Sequence, residues 1–315
     1  MAALGSLLGC LALTLAWAVP PAGAVQARPQ VYTGEANAIS TTSATLNGSI
    51  DPSNQLTDYY FQYGPTLAYG AQTPTLVAGE GTQSLHVSAQ IAGLPPGSSY
   101  HFRLVALNPT GSTDGADRTF ATKKIPLTLT LSALPASILF KSPFTVSGTL
   151  TGTENAQRKV VLQANPFPYL AGFGDVGSSV TTDASGAFSL HVEGLAQSTE
   201  LRVATVETPP VASSVSVTLV AVKVSLHVTR TGRPGFVRLH GTVTPSEVGA
   251  QVSIQLVRNG RPPKGVATTL VKAGTPTVSR YSLVLPIGRR SLYRAMVYVR
   301  SGAQVANHSQ DILIR

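Results

Sequence analysis

The sequence predicts an all-β chain of three tandem antiparallel β-sandwiches, and three observations lead there. Val, Thr, Ser, Gly and Pro are abundant, 43% of residues are apolar and only 12% are charged, the profile of short strands joined by turns. The apolar residues recur with a period of two, as strands with one buried face require. The later part of the chain also repeats itself at a spacing near 92 residues, about the size of one such sandwich. At 315 residues, two or three domains fit the usual size range.

The first 24 residues stand apart. Leu7 to Val19 is 13 residues without a charge, too short for a membrane-spanning helix, which needs about 20. Pro20 and Pro21 follow, then Ala22-Gly23-Ala24, a small-x-small cleavage site. This reads as a secretory signal peptide cut after Ala24, leaving no transmembrane helix in the mature chain. Cys10 and Trp17, the only cysteine and tryptophan, lie inside it. The mature domains are therefore expected to hold together by core packing alone, without disulfides or thiolate metal sites. The expected boundaries are 1–24 for the signal, then 25–122, 123–221 and 222–315.

In the first domain, Ala44, Leu46, Gly48 and Ile50 alternate with polar neighbours. So do Tyr59, Phe61 and Tyr63, then Leu85, Val87, Ala89 and Ile91, then Tyr100, Phe102, Leu104 and Ala106. Each run is one strand of a half-buried antiparallel sheet. Between the last two lies "GLPPGSSY", residues 93 to 100. Leu94, Pro96, Gly97 and Tyr100 match the Leu-x-Pro-Gly-x-x-Tyr corner, and residues 30 to 122 resemble a fibronectin type III domain. The resemblance implies that the Tyr100 hydroxyl bonds back to the backbone and pins the crossover between sheets. On that expectation Tyr100→Phe costs about 1–3 kcal/mol. The corner is read as structural, not as a binding tip.

The remainder is a duplication. Gly148 and Gly241 lie 93 residues apart in "FTVSGTLT" and "VRLHGTVT"; "VVLQ" (160–163) matches "VSIQ" (252–255), "FSL" (188–190) matches "YSL" (281–283), and Arg202 matches Arg294. In "TTDASGAFSL", Asp183 and Gly186 mark a hairpin turn. Both copies resemble bacterial immunoglobulin-like modules, as in secreted multidomain proteins of actinobacterial and Gram-positive type. At the junction, Val215, Val217 and Leu219 give way to Val220, Val222, Val224, Leu226 and Val228. This shift of parity is read as a swap of buried face where one domain's last strand runs into the next domain's first. A short apolar junction implies a semi-rigid rod.

Chemistry is sparse. The six histidines, His86, His101, His191, His227, His240 and His308, include no pair within four residues, so no local metal motif exists. Asp114 and Asp117 read as turn residues, since a calcium site needs six or more oxygen ligands. "GFGDVG" (172–177) spells Gly-x-Gly-x-x-Gly but precedes a strand rather than a helix, which excludes the dinucleotide reading. No nucleophile elbow or phosphate loop is present. No cofactor and no enzymatic activity are expected. The alternative, a polysaccharide-directed hydrolase or its accessory region, finds no residues left for a catalytic domain. Phe167, Tyr169 and Phe173, among Pro and Gly, form a candidate partner-binding loop, or a carbohydrate platform if coplanar and exposed.

Charge is the strongest functional signal. Residues 25–122 hold 3 basic and 6 acidic groups, 123–222 hold 6 and 6, and 223–315 hold 14 and 2. The last domain thus carries the whole excess. Arg230, Arg233, Arg238, Arg258, Arg261, Arg289, Arg290, Arg294 and Arg300 are its candidate polyanion-binding residues. Expected partners are anionic cell-wall polymers, lipid headgroups, acidic polysaccharide or released nucleic acid, held by salt-sensitive attraction. The expectation is a secreted, non-enzymatic protein, non-covalently associated with the cell surface.

Overall fold

Strands and turns account for the computed structural model, which describes residues 26–288 and 290–314. The signal segment with Cys10 and Trp17, and Arg289, lie outside the described residues. The chain divides into two compact units, Met1–Ile125 and Pro126–Arg315. Six sheets, almost wholly antiparallel, close in pairs over three separate clusters of buried apolar side chains. One pair departs from the antiparallel expectation: Ser137–Leu139 runs parallel to Ser216–Ala221 at a sheet edge.

In the first unit a three-stranded sheet, centred on Ser43–Asp51, faces a six-stranded sheet centred on Thr57–Gly64 and Ser99–Asn108. Leu46, Ile50, Phe61, Phe102 and Leu104 are fully buried between them. The alternation read from sequence holds along Ser43–Asp51 and Thr57–Gly64, and along Ser99–Asn108 as far as Leu104, after which Val105 is buried as well as Ala106. In the fourth, Leu85 is 44% exposed, because it sits at the end of Leu85–Ala92, beyond the opposing sheet's cover.

Hydrogen bonds tie the 93–100 corner to neighbouring segments, but not through the expected anchor. Tyr100 is buried and its ring stacks on Phe120 at 5.4 Å. Among the described residues its hydroxyl makes no hydrogen bond. Thr122, 4% exposed, does that work instead. Its hydroxyl donates to the Pro95 carbonyl at 2.7 Å and accepts from the Ser98 amide at 2.9 Å. The Leu94 and Gly97 amides bond to the Thr42 and Lys123 carbonyls, and Gly97 takes a φ of 66°, where glycine pays no steric penalty. Tyr100→Phe is therefore expected to change stability by less than about 0.5 kcal/mol. Thr122→Val leaves two backbone groups unpaired and is expected to cost about 1–3 kcal/mol. Urea denaturation of both variants checks the order.

The repeat seen in the sequence is a repeat of cross-strand pairs. Gly148 faces Phe188 and Gly241 faces Tyr281 in matching registers. Each glycine admits a crossing chain: an added Cβ would lie 2.3 Å from the Thr130 carbonyl oxygen, or 1.9 Å from that of Ser225. On the opposing sheets, Arg202 Nε donates to Gln163 Oε1 at 2.9 Å and Arg294 Nε to Gln255 Oε1 at 3.1 Å. The first unit carries the same pair, Arg103 to Gln62 at 2.8 Å, and the same crowded glycine, Gly48. Sequence comparison missed this third copy.

The second and third sandwiches share one unit. Val220 is buried in the second core and Val222 in the third, with one residue between Ser216–Ala221 and Lys223–Val224. The expected swap of buried face does not occur. Thr218, Val220, Val222 and Leu226 are all buried, while Val215, Val217 and Leu219 face outward at 47%, 46% and 38% exposure. Backbone bonds then join the two sandwiches: Ser198 N to Ala303 O at 2.6 Å and Val305 N to Val220 O at 2.8 Å. The Gln304 side chain adds a bond to the Ala196 carbonyl.

Candidate polyanion-binding surface

The third sandwich has two unlike ends. One carries the bonds to the second sandwich just described. At the other, His227–Arg230, Gln251–Arg258 and Ser279–Pro286 finish, and Phe236–Thr244, Arg261–Leu270 and Ser291–Tyr298 begin. Strand direction therefore brings Arg230, Arg233, Arg258, Arg261 and Arg290 to one end from separate loops and hairpins. The turn after Arg230 is tied to the neighbouring loop through the Ile287 amide and Gly235 carbonyl at 2.8 Å. Arg258 and Arg261 are opposed in register, and Arg258 and Arg290 line one hollow with Asn259 and Ser291.

Local chemistry holds these groups in place. Arg233 stacks over the Phe236 ring at 4.0 Å, a contact that orients a guanidinium without neutralising it. Arg258 donates from Nη2 to the Pro262 carbonyl at 2.7 Å. Arg230, Arg233, Arg261 and Arg290 are exposed. The only carboxylates from residue 223 onward are Glu247 and Asp311. Glu247 lies in the loop at the opposite end, where burial holds its carboxyl above the ordinary range, and Asp311 precedes the short strand Ile312–Ile314 on one flank. The arginine end thus has no counter-charge among its described residues.

The other candidates fall elsewhere. Arg294 is half-buried and committed to Gln255, so it braces two strands and leaves the binding set. Arg300 sits beside the segment that contacts the second sandwich. Arg238 points outward from the middle of Phe236–Thr244. Two residues along the same strand face from it lies a second basic feature that the sequence reading missed. His227 faces His240 across the hairpin, with ring centroids 5.7 Å apart. Lys272, Arg280, Thr242 and Ser282 border the same hollow. Reflecting the sequence about the Gly232–Gly235 turn would have paired these histidines.

The aromatic loop does not form a platform. Phe167 and Tyr169 meet edge-on at 84°. Phe167 lies 3.0 Å from the position of a Cβ on Gly302, so it packs against the third sandwich. Phe173 is covered by the Arg202 guanidinium at 4.2 Å. Three rings that each already have a partner offer no shared flat face. Asp114 and Asp117 are likewise engaged and are more than turn residues: Asp114 pairs with Arg103 at 2.7 Å, and Asp117 with His101 at 2.8 Å and the Tyr69 hydroxyl at 3.0 Å. Among the described residues no group of three His, Cys, Asp or Glu is placed to hold a metal ion. No helix there is long and apolar enough to cross a membrane.

No protein-family model and no curated protein matches the chain. Solved structures do match. The sensor domain of the anti-sigma factor RsgI4 from Pseudobacteroides cellulosolvens is 19% identical, covering 30% of this chain and 94% of its own, at a TM-score of 0.26. The FN1-FN3 domains of chicken CNTN1 are 16% identical, covering 91% and 99%, at 0.27. An ectodomain fragment of ICAM-5 is 11% identical, covering 91% and 77%, at 0.44. At these values the description of the fold rests on the strand pairing above.

Proposed function

We propose that the chain is a secreted, non-catalytic interaction protein: a fibronectin type III-like module followed by two immunoglobulin-like modules, the last holding anionic envelope polymers at its arginine-rich end. One observation carries this reading. Five arginines from separate loops and hairpins converge on one end of a sandwich that has no carboxylate there among its described residues. Like charges gathered without counter-ions repel one another, and a linear polyanion relieves that repulsion while releasing its own condensed cations. Rigid strands fix where the guanidiniums emerge, so little order has to be created on binding. The residues 1–24 reading supports secretion, and the engagement of Asp114 and Asp117 in ion pairs supports a non-catalytic first module.

Fractionation of producing cells at graded salt tests the whole proposal. The expected result is an extracytoplasmic protein starting at Val25, retained on the envelope at low salt and released as salt rises. A cytoplasmic protein retaining Met1, or an envelope association indifferent to salt, contradicts it.

A further inference from the structure

The open hollow on the outer face of the third sandwich, distinct from its arginine end, has a volume of about 560 Å³. This lies within the range of small-molecule sites. His227 and His240 form one wall, Lys272 and Arg280 another, and the Thr242 and Ser282 hydroxyls lie between them. Ala273, Gly241 and Tyr281 supply the apolar remainder. Lys272 and Arg280 are exposed and lie opposite one another across an isolated bridge. Neither makes an ion pair among the described residues. Every hydrogen-bonding side chain here donates or can donate, and none is a carboxylate.

The fold does not require this set. The second sandwich is the same unit 93 residues earlier, and its matching positions hold Ser147, Thr149, Ala187 and Ser189 in the same register. Uncharged side chains therefore build the same pair of strands, Phe144–Thr151 and Ala187–Val192. In the third sandwich a histidine, His240, stands where the second has a serine, and Arg280 where it has an alanine; Arg280 lies across from Lys272, which places like charges side by side at a cost in repulsion. The backbone beneath is held rigid: the Tyr281 hydroxyl donates to the Ser225 carbonyl at 2.5 Å, and Ser225 Oγ meets Thr242 Oγ1 at 2.8 Å.

We propose that this hollow binds a tetrahedral oxyanion ester, a phosphate or sulfate group borne on a sugar-sized body. Lys272 and Arg280 provide the charge, the two imidazoles and the hydroxyls provide donors, and Ala273 offers an apolar edge to the attached ring. A bound anion favours the protonated imidazoles, so protons in turn favour the anion. Affinity then rises as pH falls. The groups on the imidazoles' face are Arg238 and Thr242 on the strand of His240, Thr229 on the strand of His227, Arg280 and Ser282 on the third strand, and Lys272 on the adjoining loop. All the charged ones are cations, so no carboxylate there opposes that sign.

The test is calorimetric titration of the full chain with glucose 6-sulfate, glucose 6-phosphate and glucose, with histidine ring resonances followed by NMR. The expected result is saturable binding of one or both esters, with glucose at least about tenfold weaker and two histidine spin systems shifting together. For the sulfate ester, whose charge is constant, affinity is expected to rise about fivefold or more between about pH 8 and about pH 5.5. Lys272→Gln with Arg280→Gln is expected to weaken binding about tenfold or more, and His240→Gln to flatten the pH profile. Replacing Arg258, Arg261 and Arg290 is expected to leave it unchanged, which separates this site from the arginine end. Binding of glucose equal to that of the esters, no saturation, or a flat pH profile in the unsubstituted chain overturns the proposal.

Discussion

Replacing Arg230, Arg233, Arg258, Arg261 and Arg290 together by glutamine is expected to lower affinity for a linear polyphosphate at least about a hundredfold. A surface cation beside an anionic surface contributes about 1 kcal/mol, and each 1.4 kcal/mol is about tenfold. Five such groups would give more than a thousandfold if additive, and closely spaced charges are less than additive. Four of the five are exposed and none forms an ion pair among the described residues, so stability should stay within about 1 kcal/mol. The informative control removes charge elsewhere. Glutamine at Lys141, Lys159 and Arg300 lowers net charge without touching this end, and is expected to weaken binding about threefold or less. Equal losses per charge removed in both variants would mean that net charge alone acts and that the convergence has no role.

Gly241→Ala is expected to destabilise the third sandwich by about 2–5 kcal/mol. The new Cβ would lie 1.9 Å from the Ser225 carbonyl oxygen and 2.6 Å from the Tyr281 hydroxyl. The bond between those two groups cannot survive an atom placed between them. Overpacking costs about 1–3 kcal/mol, and the carbonyl left without its donor costs about as much again. Tyr281 is 2% exposed and burial pushes its phenol far above the ordinary range, so it remains a donor at any pH the fold tolerates. With about 4–8 °C per kcal/mol for a domain of this size, calorimetry should show a clearly separated, lowered transition. Gly232→Ala is the control, since nothing lies within 4 Å of the added atom. Its transition is expected to stay in place. A Gly241→Ala transition coinciding with the unsubstituted one would refute the crossing-chain geometry.

Much of this architecture could be read from residue order because a strand records its buried face every second position. Ala44, Leu46 and Ile50 are buried and their neighbours are not. The duplicated Gly, Gln and Arg were visible because each is fixed by a partner at a constant register. Reading fails where both faces of a strand are apolar: Val215, Val217 and Leu219 are as hydrophobic as the buried Val220 and Val222, and parity alone cannot rank them. It fails again where a side chain's role depends on a distant partner. Arg294 and Arg261 look alike along the chain, yet only one has a glutamine across the strand. Phe167 reads as an exposed aromatic until Gly302, far along the chain, is brought against it. The histidine pair lay hidden for a related reason, since 227 and 240 become neighbours only after the hairpin folds.

The most direct measurement is the dependence of polyphosphate binding by the purified chain on salt concentration. Each phosphate contact made by a fixed cation contributes about −0.7 to the slope of log K against log salt for a single-stranded polyanion. Five arginines acting together predict a slope of about −3 to −4, falling towards zero when all five are replaced. A slope near zero in the unsubstituted chain, or one that survives their replacement, would contradict the account.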